Sequence, residues 1–307
     1  MTSGRIGVVS AGECMIELVE LGDGLMRRSF GGDTLNTAVY LRRSLDPARY
    51  DVSYLTVLGD DPFSDEMVDA WQAEGLDCSM VGRLGDRLPG LHAVRTDERG
   101  DRSFYYWRDR APVRDLFSDV SLAPLLDASR SAGLFYFSGI TLAILDEESR
   151  EKLVEDLALR RRNGVRVAHD PNFRPRLWPD RERARYWQKA IYAHCDVVLP
   201  TFDDEQALWG DDDPAGTIAR LRDSGVGEIV VKCGGDAAHV WTDAAQTSLA
   251  PLRTVDPVDT TGAGDSFNAA YLAARLEGES LEQALADGHA LAGHVVMHKG
   301  AIAPRIV

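Results

Sequence analysis

Near its carboxyl end the chain reads Asp256-Pro257-Val258-Asp259-Thr260-Thr261-Gly262-Ala263-Gly264-Asp265-Ser266-Phe267-Asn268. Apolar residues recur at positions 267, 270, 271 and 274, which predicts that a helix begins within this motif. Backbone N–H groups at a helix start attract anions, and Gly262 and Gly264 allow the tight turn and close approach that a phosphate needs. The motif therefore predicts a phosphate-binding turn.

Asp265 does not fit a turn that only binds phosphate, because a carboxylate repels that group. Its useful work there would be to accept a proton from an attacking hydroxyl. The alternative from spacing alone is a glycine-rich helix start, in which Asp265 interacts favourably with the helix dipole.

Short apolar runs alternate with helical segments along most of the chain. The strands are predicted at 5–11, 52–58, 134–137, 165–169, 197–199 and 228–232, and the helices at 34–44, 64–74, 148–162 and 181–194. This alternation predicts an α/β fold with a largely parallel sheet. Two further strands at 91–95 and 102–107, joined by a polar turn at 97–101, depart from it and indicate a small β flap.

The composition excludes several classes of partner. Lys and Arg number 34 against 49 Asp and Glu, so the net charge is −15, which disfavours nucleic-acid and polybasic membrane-surface proteins. The sequence contains neither a secretory signal nor an apolar run long enough for a membrane helix, so we expect a cytoplasmic protein. The four cysteines form no CxxC pair, which disfavours a disulfide scaffold or a structural zinc site. Because the chain has no excess of positive charge, any anionic ligand must be bound by a few basic side chains or backbone N–H groups at its site.

Three segments together resemble one enzyme family. Residues 259–267 resemble the second signature of the ribokinase-like (PfkB) carbohydrate kinases, residues 30–38 resemble their first, and residues 230–237 resemble their nucleotide-phosphate segment. A P-loop pattern is absent from the sequence. The resemblance covers nearly the whole chain. It implies a single kinase domain over 1–307, built as a three-layer sandwich around a mainly parallel sheet.

The same resemblance implies a small β lid formed by approximately 14–30 and 88–110. The lid would cover the substrate and would also pair with a second subunit, so that the protein is a homo-oligomer. Asp265 would be the catalytic base. The residues expected to bind the ATP phosphates are Lys232, Gly234, Gly235, Asp236, Gly262, Ala263 and Gly264.

Three parts of the sequence bear on metal binding. The family commonly has an Asn-x-x-Glu motif that organises Mg²⁺ through water, and here Phe202 stands in place of the Asn while Glu205 is kept. Mg²⁺ retains several waters in proteins, so Glu205 could still act indirectly. Asp259 and Thr261 match positions that hold a monovalent cation in some relatives. His294 and His298 share a helix face but lack the Glu of a zinc-protease motif, so we expect no metal there.

Several stretches resemble the 2-keto-3-deoxygluconate kinases within this family, among them residues 12–18, 87–91, 102–108 and 170–178. The resemblance implies a sugar-acid substrate whose carboxylate is read by arginine, the side chain best suited to bidentate contact. The residues expected to bind the substrate are Gly32, Asp33, Asn36, His92, Tyr106, Arg108 and Arg174.

His92 departs from the family pattern, which usually has Tyr at this position. An imidazole can donate a hydrogen bond to the sugar acid, and it can equally mark a shifted substrate preference. His169-Asp170, at the end of a predicted strand, is interpreted as sheet-edge structure.

The expected reaction is phosphorylation of 2-keto-3-deoxygluconate at its 6-hydroxyl by ATP, with Mg²⁺. Two alternatives stay open: a kinase of the same family for a neutral sugar such as fructose or ribose, and a sugar-binding module without catalysis.

Overall fold

The computed structural model describes residues 4–96 and 102–305. The polar turn expected at 97–101 lies outside the described residues. The strands are β1 Ile6–Ala11, β2 Met15–Gly22, β3 Leu25–Gly31, β4 Tyr50–Leu58, β5 Val81–Arg83, β6 Leu91–Thr96, β7 Arg102–Trp107, β8 Leu134–Ser138, β9 Arg166–Asp170, β10 Val197–Val198, β11 Glu228–Val231, β12 Ala238–Thr242 and β13 Gln246–Leu249. The α-helices are α1 Asp33–Ser44, α2 Pro62–Ala73, α3 Ala123–Ser129, α4 Gly139–Ile144, α5 Glu147–Arg162, α6 Arg181–Tyr192, α7 Phe202–Trp209, α8 Pro214–Asp223, α9 Ala263–Glu277 and α10 Leu281–Val295.

The main sheet has the order β13-β12-β11-β10-β9-β8-β1-β4-β5. Its strands run parallel from β11 to β5, and only the last two pairings, β11 with β12 and β12 with β13, are antiparallel. The predicted α/β fold with a largely parallel sheet is therefore confirmed.

Helices cover both faces of this sheet, because neighbouring residues of a strand point to opposite sides. Val9 and Phe135 join a core with side chains of α4, α5, α6 and α8. Val8 and Leu134 join a second core with side chains of α1, α2, α9 and α10. The result is three layers, with α1 and α9 packed side by side on one face.

A second sheet, which we call the small sheet, has the order β3-β2-β6-β7. The chain enters it after β1, through residues 12–14, and leaves it from β3 into α1. It enters again after β5, through residues 84–90, and leaves for the last time after Trp107. Strands β2 and β6 pair in parallel at the centre. At the two edges, β3 pairs antiparallel with β2, and β7 pairs antiparallel with β6. Four segments therefore connect the small sheet to the main body: residues 12–14, residue 32, residues 84–90 and the segment after Trp107.

The carboxyl ends of parallel strands and the helix starts that follow them bring distant segments together. In open α/β sheets ligands bind at this edge. Asp170 ends β9, which lies between β8 and β10, so His169-Asp170 lies at this carboxyl edge of the sheet and not on an outer strand.

Among the helices of the described residues, none has the length and apolar character needed to cross a membrane.

Candidate active site

The start of α9 is shaped by Gly262, whose φ of 79° lies in the left-handed region. A Cβ here would lie 2.7 Å from the carbonyl oxygen of Ala301, so only glycine fits without displacing that backbone. Within the described residues, no side chain caps this helix start. The amide of Ala263 donates to the carbonyl oxygen of Thr260 at 3.2 Å, so the N–H groups of Gly264 and Asp265 are the ones available to an anion.

Asp265 lies in the first turn of α9, and its Oδ2 accepts a hydrogen bond of 2.8 Å from Nδ2 of Asn36 on α1. Burial, followed by repulsion from Asp33, raises the pKa of Asp265 to about 7, while the bond from Asn36 opposes the rise. A carboxylate with this pKa can exchange a proton near neutral pH, which is the property that general-base catalysis requires.

A buried polar cluster lies beside this helix start. Lys232, directly after β11, donates through Nζ to Oδ2 of Asp170 at 2.7 Å and to Oδ1 of Asn268 at 2.8 Å. Asn268 in turn donates to the same Asp170 oxygen at 2.6 Å. Burial would raise the pKa of Asp170, but the charge of Lys232 and the hydrogen bonds from Lys232 and Asn268 lower it overall.

Lys232, expected to bind ATP, is thus already paired with a carboxylate. It still lies near the phosphate turn, because a Cβ placed on Gly264 would be 3.8 Å from its Nζ. Sequence reasoning missed Asp170 and Asn268 as members of the site. Asp170 follows an apolar strand, and that position was the available signal.

Asp33 stands at the start of α1, and Nδ2 of Asn172 donates to its Oδ2 at 2.7 Å. Burial raises the pKa of Asp33. Asp33 and Asp170 both raise the pKa of Asp265, so the three carboxylates interact electrostatically in one site. Asn172 was not among the predicted site residues, although it lies in a stretch with family resemblance.

Gly32 immediately precedes α1 and lies against the start of the small sheet. A Cβ at this position would approach the carbonyl oxygen of Glu13 to 2.1 Å. The absence of a side chain thus lets the first turn of α1 approach the segment that links β1 to β2. This close approach explains on structural grounds why residue 32 is a glycine, whether or not it contacts the substrate.

Arg108, at the carboxyl end of β7, is only 7% exposed and forms an ion pair with Glu13, which is 3% exposed. Its guanidinium carbon lies 5.7 Å from the ring centroid of Tyr106. Burial raises the pKa of Glu13 despite the attraction of Arg108. Arg108, which we expect to bind the carboxylate of the substrate, thus binds a carboxylate of the protein itself. Glu13 was not among the residues predicted from the sequence.

Arg174 is placed differently. Its side chain is 49% exposed, and Nη1 donates to the carboxylate of Asp204 at 3.1 and 3.2 Å. Both predicted arginines therefore have acidic partners within the protein.

His92 and Tyr106 face each other across β6 and β7, with ring centroids 5.8 Å apart. Nε2 of His92 also lies 2.9 Å from Oε2 of Glu17 on β2. The small sheet thus places three of the predicted substrate residues, His92, Tyr106 and Arg108, at the same end of strands β6 and β7.

The exposed loop after Lys232 contains Gly234, Gly235 and Asp236. Gly234 has a φ of 58°, in the left-handed region, and the amide of Asp236 donates to the carbonyl oxygen of Cys233 at 2.9 Å. The loop is a tight turn whose outer surface is open to solvent.

The predicted metal positions have other contacts. Glu205 is fully buried, pairs with Arg220 at 2.6 Å, and has its pKa raised by burial to about 7. Oδ1 of Asp259 accepts hydrogen bonds from the amide and hydroxyl of Thr261. Oδ2 of Asp259 accepts one from the amide of Gly300.

The rings of His294 and His298 are tilted by 49° to each other, with centroids 4.6 Å apart. In the part of the chain that the structure describes, no three His, Cys, Asp or Glu side chains are grouped so as to hold a metal ion.

Comparison with known proteins places the chain in a family. The model of the pfkB family of carbohydrate kinases matches residues 6–306. The 2-dehydro-3-deoxygluconokinase of Escherichia coli K12 is 44% identical over 306 residues, which cover 99% of this chain and 98% of that protein. The enzyme of the same name from Dickeya dadantii is 42% identical over 307 residues, with 99% and 98% covered.

A solved fructokinase from Xylella fastidiosa with bound ATP has the same fold, with a TM-score of 0.82 and 24% identity, and the match covers 96% of this chain and 93% of that one. The ribokinase-like fold expected from the sequence is confirmed. By its sequence over nearly its full length, this chain belongs to the pfkB family of carbohydrate kinases.

Proposed function

We propose that this protein is a cytoplasmic kinase that transfers the γ-phosphoryl group of ATP to the 6-hydroxyl of 2-keto-3-deoxygluconate, also called 2-dehydro-3-deoxygluconate. The product is the 6-phosphate of this keto acid. The observation that carries the proposal is Asp265, a carboxylate with a pKa near neutrality in the first turn of an uncapped glycine-rich helix start. The similarity to enzymes named 2-dehydro-3-deoxygluconokinase supports the substrate.

In this mechanism the ionised Asp265 accepts the proton of the 6-hydroxyl as its oxygen attacks the γ-phosphorus. Asn36 holds the carboxylate in place through its 2.8 Å hydrogen bond. The N-terminus of α9 stabilises negative charge on the transferring group, which is the main task of a protein in phosphoryl transfer. The small sheet would act as a lid that excludes water from the transfer.

ATP would lie along the exposed turn at 234–236 and place its phosphates at 262–264. Mg²⁺ would arrive with the nucleotide and neutralise phosphate charge. The chain fits a cation carried in this way, because its described residues offer carboxylates near the phosphate turn but no group of three ligands. The indirect role of Glu205 and the monovalent-cation site at Asp259 and Thr261 stay predictions.

Arg108 and Arg174 would hold the carboxylate of the sugar acid. Each now has an acidic partner, so the substrate carboxylate would have to share or replace Glu13 or Asp204. Gly32, Asp33, Asn36, His92 and Tyr106 would contact the rest of the substrate.

A kinase for a neutral sugar is the second candidate. The pairing of both arginines with acidic residues favours it, because a neutral sugar would not need to displace either partner. A module that only binds sugar is disfavoured by Asp265, since a binder needs no base beside the phosphate turn.

The substitution Asp265→Asn keeps the side-chain shape and removes the base. We expect the turnover number with 2-keto-3-deoxygluconate and ATP to fall by about two orders of magnitude or more. The matched control is Asp65→Asn on α2, whose carboxylate is 70% exposed. Turnover within about tenfold of the wild type in the Asp265→Asn enzyme, measured by coupled ADP release, would rule out the assigned base.

The pH dependence should follow Asp265, which works only when ionised. Below its pKa of about 7 the carboxyl is protonated, so kcat/KM should fall as the pH drops from 8 to 6. Asn36→Leu removes the donor that lowers this pKa, so its acid limb should move to higher pH. ATP titrates identically with both enzymes, and identical limbs would therefore contradict the assignment.

For substrate charge, Arg108→Ala should raise the KM for the sugar acid by about tenfold or more and change that for fructose or ribose far less. Because this variant leaves Glu13 unpaired in the interior, the double variant Glu13→Gln/Arg108→Met, which removes both charges, should be assayed with it. Arg95→Ala, on an exposed pair of the same small sheet, is the control. Equal losses on acid and neutral sugars would favour the neutral-sugar kinase.

We also propose that a second copy of the chain covers the small sheet. Support comes from the edge strand β7, on which Tyr105 is 49% and Trp107 is 61% exposed, since large exposed apolar groups mark interfaces. Light scattering should give twice the chain mass of 33.7 kDa, and Trp107→Glu should reduce it to one chain mass. A wild-type protein of one chain mass would contradict this.

A further inference from the structure

Four polar side chains form one row across the small sheet. Glu17 lies opposite Ser29 on β3 and opposite His92 on β6, and His92 lies opposite Tyr106 on β7. Residues directly opposite on neighbouring strands share a face of the sheet. The row therefore connects a partly buried carboxylate and an imidazole to a proposed substrate residue.

Both oxygens of Glu17 are engaged within this row. Oε1 accepts a hydrogen bond of 2.8 Å from the hydroxyl of Ser29, and Oε2 lies 2.9 Å from Nε2 of His92. The bond with His92 lowers the pKa of Glu17, so this group is an ionised carboxylate at neutral pH. An ionised carboxylate only accepts hydrogen bonds, so Nε2 of His92 must carry the proton between them.

This arrangement fixes the tautomer of the neutral ring. In a neutral imidazole with a proton on Nε2, Nδ1 presents a lone pair and accepts hydrogen bonds. His92 is only 7% exposed, and its Nδ1 is buried without a hydrogen-bond partner among the described residues. A buried acceptor without a donor is unfavourable, so the site is complementary to a ligand that brings a donor.

A sugar acid offers donors only at its hydroxyl groups, because its ionised carboxylate has none. The rings of Phe104 and Tyr106 lie 6.5 and 5.8 Å from that of His92 and restrict its orientation. Tyr106 in turn lies beside the Arg108 guanidinium. Nδ1 of His92, which accepts a hydrogen bond, and the guanidinium of Arg108, which donates them, thus lie on either side of Tyr106. The first suits a hydroxyl group of the ligand and the second suits its carboxylate.

We propose that Glu17 is a positioning residue that fixes His92 as a hydrogen-bond acceptor for a hydroxyl of the sugar acid. The pair then selects substrates by the position of that hydroxyl, while Arg108 receives the carboxylate. This inference rests on the proposed function, and it reverses the expectation that the imidazole donates to the substrate.

Kinetics test the pair through a KM effect. Glu17→Gln removes the charge that orients the ring, and His92→Phe keeps the ring packing and removes the acceptor. Each should raise the KM for 2-keto-3-deoxygluconate about tenfold, with kcat within about twofold, because one hydrogen bond is lost. The control is Glu20→Gln, on the same strand and paired with exposed Arg95. Equal effects of Glu17→Gln and Glu20→Gln would overturn the proposal.

Analogues that lack the hydroxyl on carbon 4 or carbon 5 identify the partner of Nδ1. One of them should lose about tenfold in kcat/KM with the wild type and lose nothing relative to the parent substrate with His92→Phe. If His92→Phe leaves both analogue penalties intact, the acceptor role is wrong.

Nitrogen NMR of the histidine rings at pH 8 is independent of activity. The His92 signals, identified by their loss in His92→Phe, should show the proton on Nε2 in the wild type and a mixture of tautomers in Glu17→Gln. A wild-type proton on Nδ1 would overturn the proposal. If the wild type fails to phosphorylate the sugar acid, the proposed function fails, whereas the NMR result still decides how Glu17 positions the ring.

Discussion

The buried ion pair between Lys232 and Asp170 is the contact on which the candidate site depends. It joins the ends of β9 and β11, and Asn268 extends it to α9, the helix that carries the phosphate turn. Removing one partner of a buried pair costs about 3–5 kcal/mol, so the three elements are held in one arrangement. The pair also acts on Asp265, whose pKa Asp170 raises and Lys232 lowers. The same contact therefore holds α9 in position and adds to the effects of burial and Asp33 on the pKa of Asp265.

In a chain with a net charge of −15, the structure shows which groups surround the basic residues of the candidate site. Lys232, Arg108 and Arg174 stand out in the sequence as cations for anionic ligands, yet each is paired with a carboxylate of the chain. An anion entering this site meets neutralised pairs. Its binding then requires that ion-pair partners exchange. The uncapped start of α9 also contributes, because an N–H group attracts an anion without first giving up a paired carboxylate.

The fold could be predicted from the sequence because strand and helix periods are local. The sequence does not predict strand β3, Leu25–Gly31, because its side chains are mostly exposed and do not alternate between buried and exposed positions. The helix start at 262–265 could be predicted for the same local reason. The partners could not: Asn36 and Asp265 are 229 residues apart, and Glu13 and Arg108 are 95 apart. Sequence indicates the kind of side chain at each position, whereas the pairing of charges depends on how the sheets bring strand ends together.

Glu13 and Arg108 lie at the first and the last of the four places where the described chain passes between the main body and the small sheet. Glu13 follows β1 before β2 begins, and Arg108 comes directly after β7. Their ion pair thus joins the first and the last of these crossings at the base of the small sheet. A ligand carboxylate that draws Arg108 away from Glu13 would loosen this base at the moment of binding. In such an arrangement the guanidinium of Arg108 couples the charge of the ligand to the contact between these two crossings.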